Sequence, residues 1–99
     1  MDKRRVISQI LTTLEIEALL REGKTDKAYN QLLLLVENEP QNSHAWYLLG
    51  GIYRGQQLWG EAINAYTKAK MIDPKGPAAT AIESIYEILN FRHEDFLNP

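Results

Sequence analysis

Cysteine is absent from the 99-residue chain, which excludes disulfides, thiolate metal sites and a cysteine nucleophile together. Histidine is scarce. His44 and His93 stand alone and far apart, so the ligand spacing of a metal site is missing, and no metal or cofactor is expected. Long apolar runs are missing too; none approaches the roughly 20 residues that span a bilayer. The start, Met1 to Arg5 followed by Val6-Ile7, has a basic lead. Ser8, Gln9, Thr12, Thr13, Glu15 and Glu17 then break any apolar core, and no small-residue cleavage site follows, so it does not read as a signal peptide. Neither sign of charge dominates. With 11 basic and 13 acidic residues the net charge is −2, which leaves no electrostatic footprint for nucleic acid. A cytoplasmic protein with neither nucleic-acid nor membrane partners is expected.

Catalytic patterns are also missing. Gly23-Lys24-Thr25 echoes the end of a phosphate-binding loop, but Ala18 stands where that loop needs its first glycine, and no strand precedes it. Glu15 and Glu17, two apart on a helix, point to different sides. Glu94 and Asp95 are neighbours in a C-terminal tail, and neither pair suggests acid–base work. No serine or threonine has a recognisable base beside it. An enzyme is not expected.

What is present is a repeat. Hydrophobic residues make up 44% of the chain, ordinary for a globular domain. Pro74 lies 34 after Pro40, Ala62 34 after Ala28, Tyr66 34 after Leu32 and Ala69 34 after Leu35. A period of this size marks stacked supersecondary units. Leu58, Ala62, Tyr66 and Ala69 recur at helical spacing. Five helices are predicted, over about 3–22, 25–38, 43–54, 58–72 and 77–90, with Gly23 closing the first, Ser43 capping the third and Pro77 opening the fifth. No strand is predicted. The short connections make neighbouring helices antiparallel.

The third and fourth helices resemble a tetratricopeptide repeat, whose signature is W-x2-L-G-x2-Y, then A-x3-F, then P. Here it reads Trp46, Leu49, Gly50, Tyr53, then Ala62, Tyr66, then Pro74, with Ala69 and Asp73 also fitting. One departure is Gln57, at a slot between the helices where the family usually has glycine and the upstream repeat has Gly23. Trp46, Leu49 and Tyr53 share one helix face and should be core. Gly50 lets the partner helix approach closely. The upstream copy matches at Gly23, Ala28, Leu32 and Pro40, but its first half aligns better at an offset of 35, placing Leu11, Leu14 and Ala18 opposite Trp46, Leu49 and Tyr53. One inserted residue near Glu22–Lys24 would explain this. The fifth helix reads as the opening helix of a further repeat. Thr80, Glu83, Ser84 and Glu87 stand at its core slots, so its outer face is solvated, as a terminal cap requires, and Ile82, Tyr86 and Leu89 are expected to pack back on the preceding pair.

The resemblance thus implies an all-α, right-handed superhelical stack of antiparallel helix pairs, two repeats plus a C-terminal capping helix. It forms a single domain over 1–99: a divergent repeat over about 3–42, a complete one over 43–76, a capping helix over 77–90 and a tail over 91–99. In this family the first helix of each repeat lines a concave groove. That implies a site built from His44, Tyr47 and Arg54 in the complete repeat, Ala81, Ile85 and Ile88 in the cap, and, at the offset of 35, Ile16 and Leu19, with Leu20 nearby. The apolar arc of the fifth helix spans about 160°, wider than one packing contact needs. An Ile and Leu stripe at helical spacing is equally what a core shows, above all for Ile16 and Leu19. The tail, through Phe91, Phe96 and Leu97, is a candidate cover for the groove. The paired Lys and Asn with which some family members hold a C-terminal carboxylate are missing, since Tyr47, Gly51, Ala81 and Ile85 occupy groove positions and Arg54 alone is no clamp.

The expected function is that of a non-catalytic module binding a protein or peptide segment in an apolar groove, similar to short stand-alone repeat proteins of bacteria. The alternative is a homodimeric scaffold in which the same apolar faces pair two copies.

Overall fold

The computed structural model of the chain describes residues 10–97, with side chains up to residue 90. The described residues form helices α1 (Thr13–Arg21), α2 (Thr25–Asn38), α3 (Ser43–Gly55), α4 (Trp59–Ile72) and α5 (Ala78–Leu97), and no strand is found among them. Each helix packs on the next along the chain, α3 on α4 most extensively, and α1 also reaches α3. The fold is an all-α stack of two antiparallel helix pairs closed by a single helix.

The helix starts follow local chemistry. Thr12 caps α1 through a reciprocal box: its hydroxyl accepts from the Glu15 backbone N–H at 3.3 Å, and the Glu15 carboxylate accepts from the Thr12 N–H at 3.2 Å. The predicted helix from residue 3 is corrected here. Residues 10–12 are not helical, and residues 1–9 lie outside the described part. The Leu11 N–H donates to the Gln31 side chain of α2 at 3.0 Å, which fixes the incoming chain. Asn42, rather than Ser43, caps α3, accepting from the Ala45 N–H at 3.0 Å.

The two pairs repeat at a strict offset of 34. The N–H groups of Gly23, Lys24, Ala28, Glu39 and Asn42 donate to the carbonyls of Leu20, Leu19, Lys24, Leu35 and Glu39. Those of Gln57, Leu58, Ala62, Asp73 and Gly76 donate to Arg54, Tyr53, Leu58, Ala69 and Asp73. The two left-handed turn residues, Gly23 (φ 79°) and Gln57 (φ 60°), obey the same offset. The inserted residue expected near Glu22–Lys24 does not exist. In α1 it is Ile16 and Leu19 that occupy the slots of Gly50 and Tyr53 and enter the core, while Leu14 is 75% exposed. The first pair differs by having a short α1 that starts late, so the Trp46 slot falls on its cap, Thr12.

The core has two clusters, linked by the half-buried Trp46 and Tyr53, which pack against both. Ile16, Leu32, Ala45 and Leu49 fill its first part, and Ala62, Tyr66, Ala69 and Ile85 its second. Trp46 is half-buried rather than buried. Its indole N–H donates to the Pro40 carbonyl at 2.9 Å, and the Lys68 ammonium lies 4.3 Å from the ring centre. At the closest approach of α3 and α4, a Cβ on Gly50 would stand 2.7 Å from two atoms of the Tyr66 ring.

The packing of α5 corrects a second expectation. Ala78, Ala81 and Ile85 face α4 and are buried, whereas Tyr86 is 50% exposed. Small residues at Ala62 and Ala69 leave a shallow surface on α4, and Ile85 is the side chain that seats on it. Ile82 and Leu89 are half-buried and pack against the same cluster, as expected, so the correction concerns Tyr86. Helix α5 also runs on to Leu97, because neither glycine nor proline interrupts it after Pro77. The backbone does not turn at Asn90 to lay residues 91–97 over the preceding helices.

Two substitution pairs test this account. Gly50→Ala is expected to lower the unfolding free energy by about 1–3 kcal/mol through overpacking against Tyr66. Gly51→Ala, where the nearest atom is 3.7 Å away, should raise it by up to about 1 kcal/mol through helix propensity. Gln57→Gly should stabilise by about 1 kcal/mol by relieving the left-handed strain, and Gly23→Ala should destabilise by a similar amount. Urea denaturation of the four variants measures all of these.

Candidate functional site

With the register settled, the inner face of the stack is read from α1, α3 and α5. In α3 the inward row is His44, Tyr47, Gly51 and Arg54; the equivalent positions are Thr13, Glu17 and Leu20 in α1, with Ile10 just before it. Contacts across the helices confirm the alignment. The His44 Nε2 lies 3.1 Å from the Glu17 Oε1. The His44 ring stacks near Tyr47, with centroids 6.3 Å apart and planes at 19°. Tyr47 in turn meets Tyr66 at 5.5 Å.

An open cleft of about 470 Å³ lies on this face, lined by Leu20, Thr25, Tyr47, Leu48, Gly51, Ile52, Gly55, Gln56 and Tyr66. Two of its lining residues are glycines of α3. Gly51 and Gly55 stand one turn apart and both are exposed. Neither has a positive φ, and a Cβ on Gly55 would meet nothing within 4 Å. Gly51, inside the helix, costs it about 1 kcal/mol relative to alanine; Gly55 is its last residue, and no positive φ or close contact requires either glycine.

Arg54 borders the cleft on the α5 side. Its Nη2 donates to the Ser84 hydroxyl at 3.0 Å, and its charge acts on the Tyr66 phenol. Burial holds the Tyr66 phenol above the ordinary tyrosine range, helped by Tyr47, while the Arg54 charge pulls the other way. Tyr66 therefore joins the two halves of the site: its ring is core, and its hydroxyl reaches the inner face.

Of the residues expected at the site, His44, Tyr47, Arg54 and Leu20 lie on this face, and Ile88 is half-buried on α5. Four belong to the core instead: Ile16 and Ile85 at 0% exposure, Ala81 at 8% and Leu19 at 9%. Ile16 and Leu19 were placed one residue out of register. Ala81 and Ile85 are spent on α4. Glu17, Thr25, Gly55 and Gln56 were missed. The Gly23–Gln57 spacing would have found Glu17, because it sets the offset at 34.

On the outer face, the Tyr29 and Tyr53 hydroxyls are 3.0 Å apart, with their rings edge to face. The Tyr53 phenol is pushed up to about 12, chiefly by the hydrogen bond with Tyr29, then by burial and by the charges of Tyr29 and Glu61. Among the described residues no group of three or more His, Asp or Glu is placed to hold a metal ion, and no helix is long and apolar enough to cross a membrane.

No family model matches the sequence, and no curated protein matches it. Among solved structures the chain is similar to the protein BF1650 of Bacteroides fragilis, known from a solution NMR structure. The two share 33% identity over 85% of this chain and 86% of the other, with a TM-score of 0.72. At that identity and coverage this chain belongs to one family with the Bacteroides protein.

The tyrosine pair makes a pH prediction. A phenol whose folded pKa is raised contributes stability that is complete below the ordinary tyrosine value of about 10 and is lost as pH rises through about 12. An ultraviolet titration of tyrosinate should show Tyr53 ionising late. In Tyr29→Phe it should ionise nearer the ordinary value, and the alkaline loss of stability should shrink.

Proposed function

We propose that the chain is a tetratricopeptide-repeat protein acting as a non-catalytic, cytoplasmic interaction module that holds a segment of a protein partner on its inner face. The observation that carries this reading is the pair of α3 glycines that line the cleft. Gly51 weakens α3 from its interior, and neither backbone geometry nor internal packing uses it or Gly55. Their effect is to bare the helix backbone beside Tyr47, Leu20 and Ile52, where a partner side chain can lie close. A mostly apolar cleft with a few polar groups at its edge is the usual form of a binding site. The signature from Trp46 to Pro74 and the 34-residue repetition of the turn hydrogen bonds support the family reading. Self-association through Ala81, Ile85 and Ile88 is the weaker alternative, since Ala81 and Ile85 are covered by α4 within one chain.

Filling the cleft tests the proposal. Gly51→Leu should leave the fold intact by circular dichroism. It should weaken binding at least tenfold for peptides selected against the wild-type protein from a randomised displayed library. Equal affinity of the two proteins for those peptides overturns the proposal.

A further inference from the structure

The cleft on the inner face differs from the rest of the chain in charge. Charged residues make up 24% of the sequence, yet none of the residues lining the cleft is charged. Glu17 and Arg54, the charged members of the inner rows, are not among them. Glu17 is engaged with His44, and Arg54 donates to Ser84. The polar groups that do line the cleft are the Thr25 hydroxyl, the Gln56 amide and the phenols of Tyr47 and Tyr66. Each can both donate and accept a hydrogen bond, which suits the N–H and C=O groups of a peptide backbone. A charged side chain entering here loses hydration and meets no opposite charge in return. Charge complementarity therefore selects an uncharged occupant.

The walls narrow the choice. Tyr47 and Tyr66 both line the cleft, with ring centroids 5.5 Å apart and planes tilted by 46°. His44 continues the row beyond Tyr47 at 6.3 Å. Rings at centroid separations of about 4.5–7 Å gain from edge and face contact beyond the area that they bury. Gly51 adds no side chain beside them. The position of its missing Cβ is 3.7 Å from the Tyr66 hydroxyl oxygen, and that of Gly55, one turn on, has nothing within 4 Å. A flat side chain can lie along this bare strip and meet both rings, whereas a branched aliphatic one fills space without the ring contact. Resting on the interaction reading above, we propose that the cleft takes an uncharged aromatic side chain of a partner peptide, laid over Gly51 against Tyr47 and Tyr66.

Four pools of randomised peptides, blocked at both ends, test this. They differ at one fixed position, which carries Phe, its saturated isostere cyclohexylalanine, Lys or Glu. The wild-type protein should bind the Phe pool about fivefold more tightly than the cyclohexylalanine pool, and at least about tenfold more tightly than the Lys or Glu pool. Added salt should leave Phe binding unchanged, because no ion pair forms. Tyr47→Leu should bind the Phe and cyclohexylalanine pools alike. Equal binding of those two pools to wild type, with Gly51→Leu abolishing both, overturns the aromatic assignment and leaves the interaction reading standing. Binding of the Lys or Glu pool as tight as that of Phe, again abolished by Gly51→Leu, overturns the uncharged assignment and leaves the same reading standing. A wild-type dimer in light scattering that Gly51→Leu dissociates puts a second copy in the cleft and overturns the peptide occupant. Binding untouched by Gly51→Leu, or absent for all four pools, overturns the proposal and the interaction reading together.

Discussion

The contact between Gly50 and the Tyr66 ring is the constraint on which the rest of the structure depends. A Cβ at residue 50 would lie 2.7 Å from that ring, so α3 and α4 meet this closely only because the side chain is absent. The close approach buries Tyr66 to 3% exposure. It also carries the Tyr66 hydroxyl through to the inner face, within 3.7 Å of the position a Gly51 Cβ would take. There the phenol feels the Arg54 charge, while the ring meets Tyr47. One core residue thus positions the aromatic wall and the cation of the candidate site.

The glycines of α3 divide by this criterion. Gly50 is needed by the packing, whereas Gly51 and Gly55 are not. A helix that keeps an interior glycine such as Gly51 without an internal use gives up stability for an open surface, and that surface lines the cleft. The turn glycines divide in a similar way. Gly23 adopts φ 79° freely, while Gln57 holds φ 60° at the same place in the next pair. The second turn keeps its shape because the hydrogen bonds of Gln57 and Leu58 to Arg54 and Tyr53 reproduce those of the first.

The capping helix shows how tertiary contacts override a face assignment. Its apolar residues cover so wide an arc that periodicity alone could not say that Ala78, Ala81 and Ile85 would be buried and Tyr86 exposed. The choice was made by α4, where Ala62 and Ala69 leave room for a branched side chain close to the backbone and none for a tyrosine. A similar ambiguity misplaced the inner face of α1. Leu11, Leu14 and Ala18 have the right spacing for a core stripe, but the short helix begins at a Thr12–Glu15 capping box, and its core stripe is Ile16 and Leu19.

By itself the sequence determined the five helices found among the described residues and their stacking order. These depend on local capping, on apolar period and on small residues at set positions, all of which are readable one residue at a time. It also marked His44, Tyr47 and Arg54 as neighbours on one face, because they lie on a single helix. The tertiary structure alone decided which side of α5 is buried, that Glu17 faces His44, and that Gly51 and Gly55 line the cleft. Those outcomes depend on the separation and rotation of different helices, which are set by the shapes of side chains far apart in the chain.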